Sequence, residues 1–413
     1  MNLKANTIII NKMSTLNETV NNNVTVDVNS SFTRQNIEAI GNTVNVVDSD
    51  EDNKLDMFCY VACSNEDSEL HKQCRGVVFN ENNLVMKAFP YTPEYNDNQV
   101  DEIKNALGDL KKWHFYESHE GCLIRMFHFN GKWYVSTHRK LNAFRSKWSS
   151  SDSFGTMFKD ALLIEEQYNF EFRNGLKEGN DIIQRFEGTL DVNKQYMFIV
   201  RNNNENRIVC SAPSRPTLYH AGTFVDGNLV FTENLNISLP EKKEFSTLNE
   251  LIECVRNTSY KELQGVIGFT SDNKQVKIVS QEYQDLFKVR GNEPSLKFRY
   301  LQLRMNKNVK LLYSLYPHMA NTFGDYEDSL LHIALYIYNA YVDRFIKKTF
   351  VTVPREEFAI IRECHSWHTK DRSKNRVSRE YVVNALNRQS ATNLNRMIRR
   401  FKMSQNNQPG RIL

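Results

Sequence analysis

The sequence has no apolar run long enough to cross a bilayer. Its longest later apolar stretch, LLHIALYIYNAYV, is interrupted by His332 and Asn339. It falls short of the roughly 20 residues that a spanning helix needs and reads as a buried helix. The opening MNLKANTIII has too short an apolar run, and no small-residue cleavage pattern follows it, which argues against a secretory leader. Cysteines number seven, are scattered, and include no CxxC pair. This argues against a disulfide framework and for reduced thiols, so a soluble, intracellular, cytoplasmic protein without a membrane role is expected. Cys59 and Cys63 lack a second ligand pair downstream, and Cys364, His365 and His368 form at best half a site, so no metal centre is expected. No internal repeat is present.

What the chain does have is enough apolar sequence, 40% of 413 residues, for a core and two or three domains. Residues 1–50 are rich in Asn, Thr, Ser and Val, with Phe32 as their one aromatic residue. Such a segment cannot bury enough apolar surface to offset its ordering entropy, so it is expected to be disordered, with VTVDV as a candidate added strand. Residues 51–295 alternate hairpin and helix signals. CRGVVFNENNLVMKAF reads as two strands about a turn at Asn80–Asn83, and DEIKNALGDLKK as a helix. CLIRMFHFNGKWYVSTHR reads as a hairpin across Asn130-Gly131. QYMFIV and RIVCSA read as a strand pair, LQGVIGFTSDNKQVKIVS as a further hairpin, and STLNELIECVRN as a helix with Thr247 and Glu250 at capping-box spacing. Together these predict an α+β body. Residues 296–413 carry helical periodicity only and predict an all-helical C-terminal domain. The net charge is +4, but Leu296–Leu413 holds 21 Lys and Arg against 9 Asp and Glu, which leaves the preceding body acidic. A basic domain on an acidic body suggests a polyanion partner, and the plainer alternative is a solvated helical surface.

Four segments follow one another in a telling order: CRGVVFNENNLVMKAFPY (74–91), YESHEGCLIRMFHFNGKWYVSTHRKL (116–141), YMFIVRNNNENRIV (196–209), and LQGVIGF with QVKIVSQEY (263–283). In this order they resemble the adenylyltransferase domain of phage- and viral-type ATP-dependent RNA ligases, members of the covalent nucleotidyltransferase superfamily. The resemblance implies a nucleotidyltransferase fold over about 70–295. It also implies ATP or GTP with Mg²⁺ as cofactor candidates and RNA as partner. In that family a lysine of a Lys-x-Asp-Gly motif attacks the α-phosphate of ATP, and a primary amine is required because the intermediate is a phosphoramidate. Here Gly121 and Glu120 match the motif's glycine and acid, and Ser118 stands where the lysine belongs.

Other positions depart too. Phe198 is followed by Ile199 where the family carries an acid. Gln264 precedes Gly265 where it carries a metal-organising glutamate, and Mg²⁺ favours carboxylates over a neutral amide. Lys277 is kept, but Val279 replaces the second phosphate-binding lysine. Serine without an adjacent base is a poor nucleophile, and His119, its strand neighbour, is expected to face the other way. The combination predicts a ligase-like protein that binds without ligating. A displaced lysine, Lys111, Lys112 or Lys132, is the alternative that would keep the enzyme active, and a purely structural or assembly role is a third.

Candidates for nucleotide or RNA-end binding are Arg75, Ser118, Glu120, Gly121, Arg125, Phe198, Gln264 and Lys277. Each has a plainer reading: Phe198 as core, Arg75 as a strand brace, Lys277 as a surface residue, Glu120 as a partner of Arg75 or Arg125. The segment THRKLNAFRSKW sets His138, Arg139, Lys140, Arg145 and Lys147 among Phe144 and Trp148, an interleaving that suits single-stranded RNA. Arg290 and Arg299, between the two regions, are further candidates for a phosphate path. The Asn- and Lys-rich style fits an A+T-rich genome such as that of a large DNA virus, where such a scaffold would serve RNA processing or translation at a 5′ end, capped or not.

Overall fold

The computed structural model describes residues 32–406 apart from 88, 204–207 and 232. It is α+β. Strands β1 (Val44–Asp50), β2 (Leu55–Tyr60), β3 (Arg75–Asn80) and β4 (Asn83–Met86) form an antiparallel sheet in that order. Next in the chain come β5 (Glu94–Asn96), β6 (Trp113–Ser118), β7 (Cys122–Phe129), β8 (Lys132–Ser136), β9 (Lys194–Arg201), β10 (Thr217–Val225) and β11 (Asn228–Val230). The last three strands are β12 (Lys242–Lys243), β13 (Gly265–Thr270) and β14 (Gln275–Val279). These build a second sheet, ordered β11-β10-β9-β7-β8, and a third, ordered β12-β6-β13-β14-β5. All pairings are antiparallel except β14 with β5.

Local chemistry explains most of these elements. Asn130 and Gly131 both take positive φ, 50° and 76°, as a two-residue hairpin loop requires. Thr247 caps the helix Leu248–Asn257 by accepting from the Glu250 amide at 3.2 Å, and the Glu250 carboxylate accepts from the Ser246 amide at 2.8 Å. The apolar stripe of that helix, with that of Val100–Leu107, covers the third sheet through Leu251, Val255, Ile103 and Leu107. Helices Phe154–Tyr168, Phe170–Gly175 and Ile182–Glu187 cover one face of the second sheet around Phe158, Phe172, Phe186 and Phe198.

Two expectations need correction. The stretch 34–50 is ordered: Arg34–Ala39 is a helix and Val44–Asp50 is β1. It has few apolar residues, but it borrows the core of its neighbours. Ile37 and Val44 bury against Phe58, Val77 and Phe79 of β2 and β3. The VTVDV stretch lies outside the described residues. RIVCSA does not pair with QYMFIV; β9 pairs with β10, and residues 208–210 are irregular. Their amides are held by a side chain instead, as described below.

After Val279 every described element is helical. The helices Leu296–Leu303, Val309–Leu315, Ala320–Tyr341, Arg355–Lys370, Arg379–Asn387 and Ala391–Asn406 share one core. That core also takes in Val209, Cys210, Val279 and Tyr283, all upstream of the expected boundary at 295/296. No described helix is long and apolar enough to cross a membrane.

Candidate functional site

Between the second and third sheets lies a cavity of about 380 Å³. Its aromatic walls include Tyr60, Phe89, Tyr91, Tyr116 and Phe231, and its polar lining includes Arg75, Ser118, His119, Glu120, Gln264 and Lys277. Two glycines let the backbone close around it. A Cβ on Gly121 would sit 2.6 Å from Ile199 Cγ2 and from the Val200 carbonyl oxygen. Gly265, with φ +149°, would put one 2.1 Å from the Ile278 carbonyl oxygen.

At its floor runs a chain of hydrogen bonds. Ser118 Oγ donates to Gln264 Oε1 at 3.0 Å, and Gln264 Nε2 donates to Tyr283 Oη at 2.8 Å. Tyr283 Oη donates in turn to Glu120 Oε1 at 2.8 Å. Lys277 Nζ reaches Gln264 Oε1 at 3.4 Å and pairs with the Glu94 carboxylate. Glu120 also accepts the backbone amides of Ile208, Val209 and Cys210, at 3.2, 2.8 and 3.0 Å. Its burial pushes the carboxyl up, and the bonds from Tyr283 and the three amides pull it back. Its partners are therefore this segment and Tyr283, neither Arg75 nor Arg125.

His119 lines the cavity beside Ser118, against the expectation from strand alternation, because β6 ends at Ser118. It stacks on Tyr219 with ring centroids 4.2 Å apart, and its Nε2 lies 3.4 Å from Glu117 Oε2. Burial, with the charge of Arg201, pulls it down to about 4, so it is neutral near pH 7. Ser118 gives its hydrogen to Gln264, so no base is bonded to it.

A second cavity, of about 480 Å³, shares Arg75, Glu120, Gly121, Leu123 and Ile208 with the first. Its lining is cationic, with Arg139, Lys147 and Arg201, and it includes His138, Trp148 and Phe154. Arg75 sits at the junction and donates to the Pro90 carbonyl at 3.2 Å. Burial pulls His138 down to about 3, with Arg75, Arg125 and Arg139 adding to the effect, so its contribution here is shape and not charge.

Several expected binders lie elsewhere. Phe198 is fully buried among Phe158, Phe186 and His220, on the face opposite the cleft; it is core and cannot stack on a base. Alternation puts Ile199 in the first cavity and Arg201 in the second instead. Arg125 is fully buried and donates to the Gly76 carbonyl at 2.5 Å and the Thr137 carbonyl at 2.6 Å, bracing strands. Lys140 and Arg145 turn toward Asp48, at 3.3 and 4.0 Å. Arg290 is buried, donates to Tyr316 Oη at 2.9 Å and stacks 5.1 Å from the Trp148 ring. Arg299 caps the helix Gln281–Arg290 through the Lys288 and Val289 carbonyls, at 2.8 and 2.7 Å. Lys111 and Lys112 lie at the far end of β6 from Ser118, and Lys132 pairs with Asp50 at 3.2 Å. Among the described residues the lysine lining the first cavity is Lys277. Val279, where the family's second lysine belongs, is fully buried in the helical core.

No protein-family model matches the chain. The immediate-early protein ICP-46 homologue of Invertebrate iridescent virus 6 is 30% identical over 335 residues, 78% of this chain and 72% of that one. The chain belongs to the ICP-46 family. A candidate bifunctional polynucleotide kinase/RNA ligase of Autographa californica nuclear polyhedrosis virus is 24% identical over 62% of this chain and 36% of its own length. An archaeal ATP-dependent RNA ligase structure aligns at a TM-score of 0.39 and 10% identity, over 69% of each chain. This ICP-46 relative is a viral protein, in line with the large-DNA-virus style of the sequence.

Proposed function

We propose that this chain holds an RNA 5′ end or a nucleotide in its cleft without transferring it. The observation that carries this reading is the Ser118–Gln264–Tyr283–Glu120 chain. The positions where ligation needs an amine and a metal-organising carboxylate hold neutral groups that are bonded to one another. The cavity above them stays open, and its aromatic walls suit a base. Beyond Arg75 the cavity continues into cationic walls that suit the phosphates of a following strand. A second reading, covalent nucleotidylation from a displaced lysine, draws support from Lys277 alone, since that side chain reaches the cleft.

The basic wall gives a direct test with 5′-phosphorylated single-stranded RNA. Replacing Arg139 and Lys147 together by alanine is expected to weaken binding roughly tenfold. The plot of log K against log salt should become shallower by about 0.7 for each phosphate no longer neutralised. Replacing Lys140 and Arg145 by alanine should leave affinity within about twofold, because those groups face Asp48. Equal weakening by both double substitutions would contradict this path for the strand.

A further inference from the structure

Outside the cleft, the loop after β2 and the short helix Glu69–Gln73 bring three different metal-binding side chains together: Cys63, Asp67 and His71. Their donor atoms all lie within 4.8 Å of one another. From the sequence, Cys63 pairs naturally with Cys59, but Cys59 is fully buried in strand β2 and takes no part. The partners come instead from the residues four and eight positions further on.

The cluster is already arranged as a ligand set. Asp67 Oδ2 accepts from the Ser64 amide at 2.7 Å and from Ser64 Oγ at 3.0 Å, which fixes the carboxylate. Asp67 Oδ1 lies 3.0 Å from His71 Nδ1. His71 is 6% exposed, Tyr60 covers it edge-on at 5.8 Å, and its Nε2 has no hydrogen-bond partner among the described residues. A buried imidazole nitrogen without a partner is costly. The Cys63 thiol is free and only partly covered.

We propose that Cys63, Asp67 and His71 bind a zinc ion, with a fourth position left to water or an exogenous ligand. One thiolate, one imidazole and one carboxylate suit this borderline-soft cation better than Mg²⁺ or Ca²⁺, which prefer oxygen alone. Bonds of about 2.0–2.3 Å would set the donors roughly 3.5 Å apart, inside the 4.8 Å within which they already lie. Binding displaces the thiol proton of Cys63 to solvent, so affinity rises with pH. The ion would fix the loop that carries Asn65, whose Oδ1 accepts from Tyr91 Oη at 3.1 Å. Tyr91 is a wall of the first cavity, and its amide donates to the Lys72 carbonyl at 2.8 Å. The site would thereby stiffen one side of the cleft, and it stands whether or not the cleft binds RNA.

Cobalt(II) titration of the full chain, stripped of metal with a chelator, tests this. One cobalt per chain is expected, with a near-ultraviolet thiolate-to-cobalt charge-transfer band and visible bands of four-coordinate intensity, all displaced by zinc. Cys63→Ser should abolish the thiolate band and weaken zinc binding about 100-fold. Cys254→Ser, at another partly exposed free thiol, should change neither. Thermal melting of Cys63→Ser in chelator, matching that of the parent chain in chelator, confirms that the variant is folded. No charge-transfer band in the parent chain, or one that survives Cys63→Ser, would overturn the proposal.

Discussion

Replacing Glu120 by alanine is expected to destabilise the protein by about 4 kcal/mol, more than any other single change at the cleft. The carboxylate is buried and collects four donors: the amides of Ile208, Val209 and Cys210, and the Tyr283 hydroxyl. Alanine takes this acceptor away from all four, and losing the acceptor of a buried donor costs roughly 1–3 kcal/mol. The damage also spreads to the helical core, since Val209, Cys210 and Tyr283 pack there. Tyr283→Phe removes one of these bonds and should cost about 1 kcal/mol. Chemical denaturation followed by circular dichroism measures both. The comparison also separates two roles for Glu120. If it served to hold a metal ion and not to fasten this segment, alanine would change stability by less than about 1 kcal/mol and lower ligand affinity instead.

Arg75→Glu is expected to lower the affinity for 5′-phosphorylated single-stranded RNA by about 100-fold, the largest loss from any single cleft residue. Arg75 lines both cavities, where a terminal nucleotide in the first would meet the strand continuing into the second. Taking a cation away from a phosphate in a partly desolvated junction, and placing a like charge against that phosphate, accounts for a loss of this size. The same change gives up one hydrogen bond to the Pro90 carbonyl, worth about 1 kcal/mol, so the fold should survive. Arg75→Lys keeps the charge but not the planar fork and should fall between the two. Affinity by fluorescence anisotropy, read beside melting curves, distinguishes lost binding from lost fold. If Arg75→Glu bound RNA within threefold of the parent chain, the junction would not be a phosphate site.

What the sequence made legible was mostly local. The Asn130-Gly131 hairpin and the Thr247 cap follow from a few neighbouring residues, and both formed where expected. Pairings that depend on distant chain were harder. RIVCSA has the composition of a strand, yet β9 takes β10 as its neighbour, and residues 208–210 spend their amides on Glu120. Residues 34–50 looked too polar to fold, but Ile37 and Val44 needed only a place in another element's core.

The site divides the same way. Ser118, Glu120, Gly121, Gln264 and Lys277 converge because motif order carried their topology. Phe198 takes its plainer reading, core, and alternation along the strand turns Ile199 and Arg201 toward the cavities instead. Charge counting cannot tell a guanidinium that meets solvent from one committed to carbonyl groups. Arg125, Arg290 and Arg299 are therefore indistinguishable in sequence from Arg139, which stays exposed while giving one bond to the Tyr60 carbonyl, and only packing separates them. Arg201 carried no motif, and Tyr283 ends a quoted segment without an assigned role; both became visible as part of the site only through contacts made across the fold.

The cleft is expected to bind without performing nucleotidyl transfer. Incubating the protein with α-labelled ATP or GTP and Mg²⁺, then resolving it under denaturing conditions, tests this. The expected result is no protein-bound label, from a sample that binds 5′-phosphorylated RNA with salt-dependent affinity. A hydroxylamine-sensitive, acid-labile adduct would contradict the claim, and its loss in Lys277→Ala would show that the nucleophile has moved across the cleft.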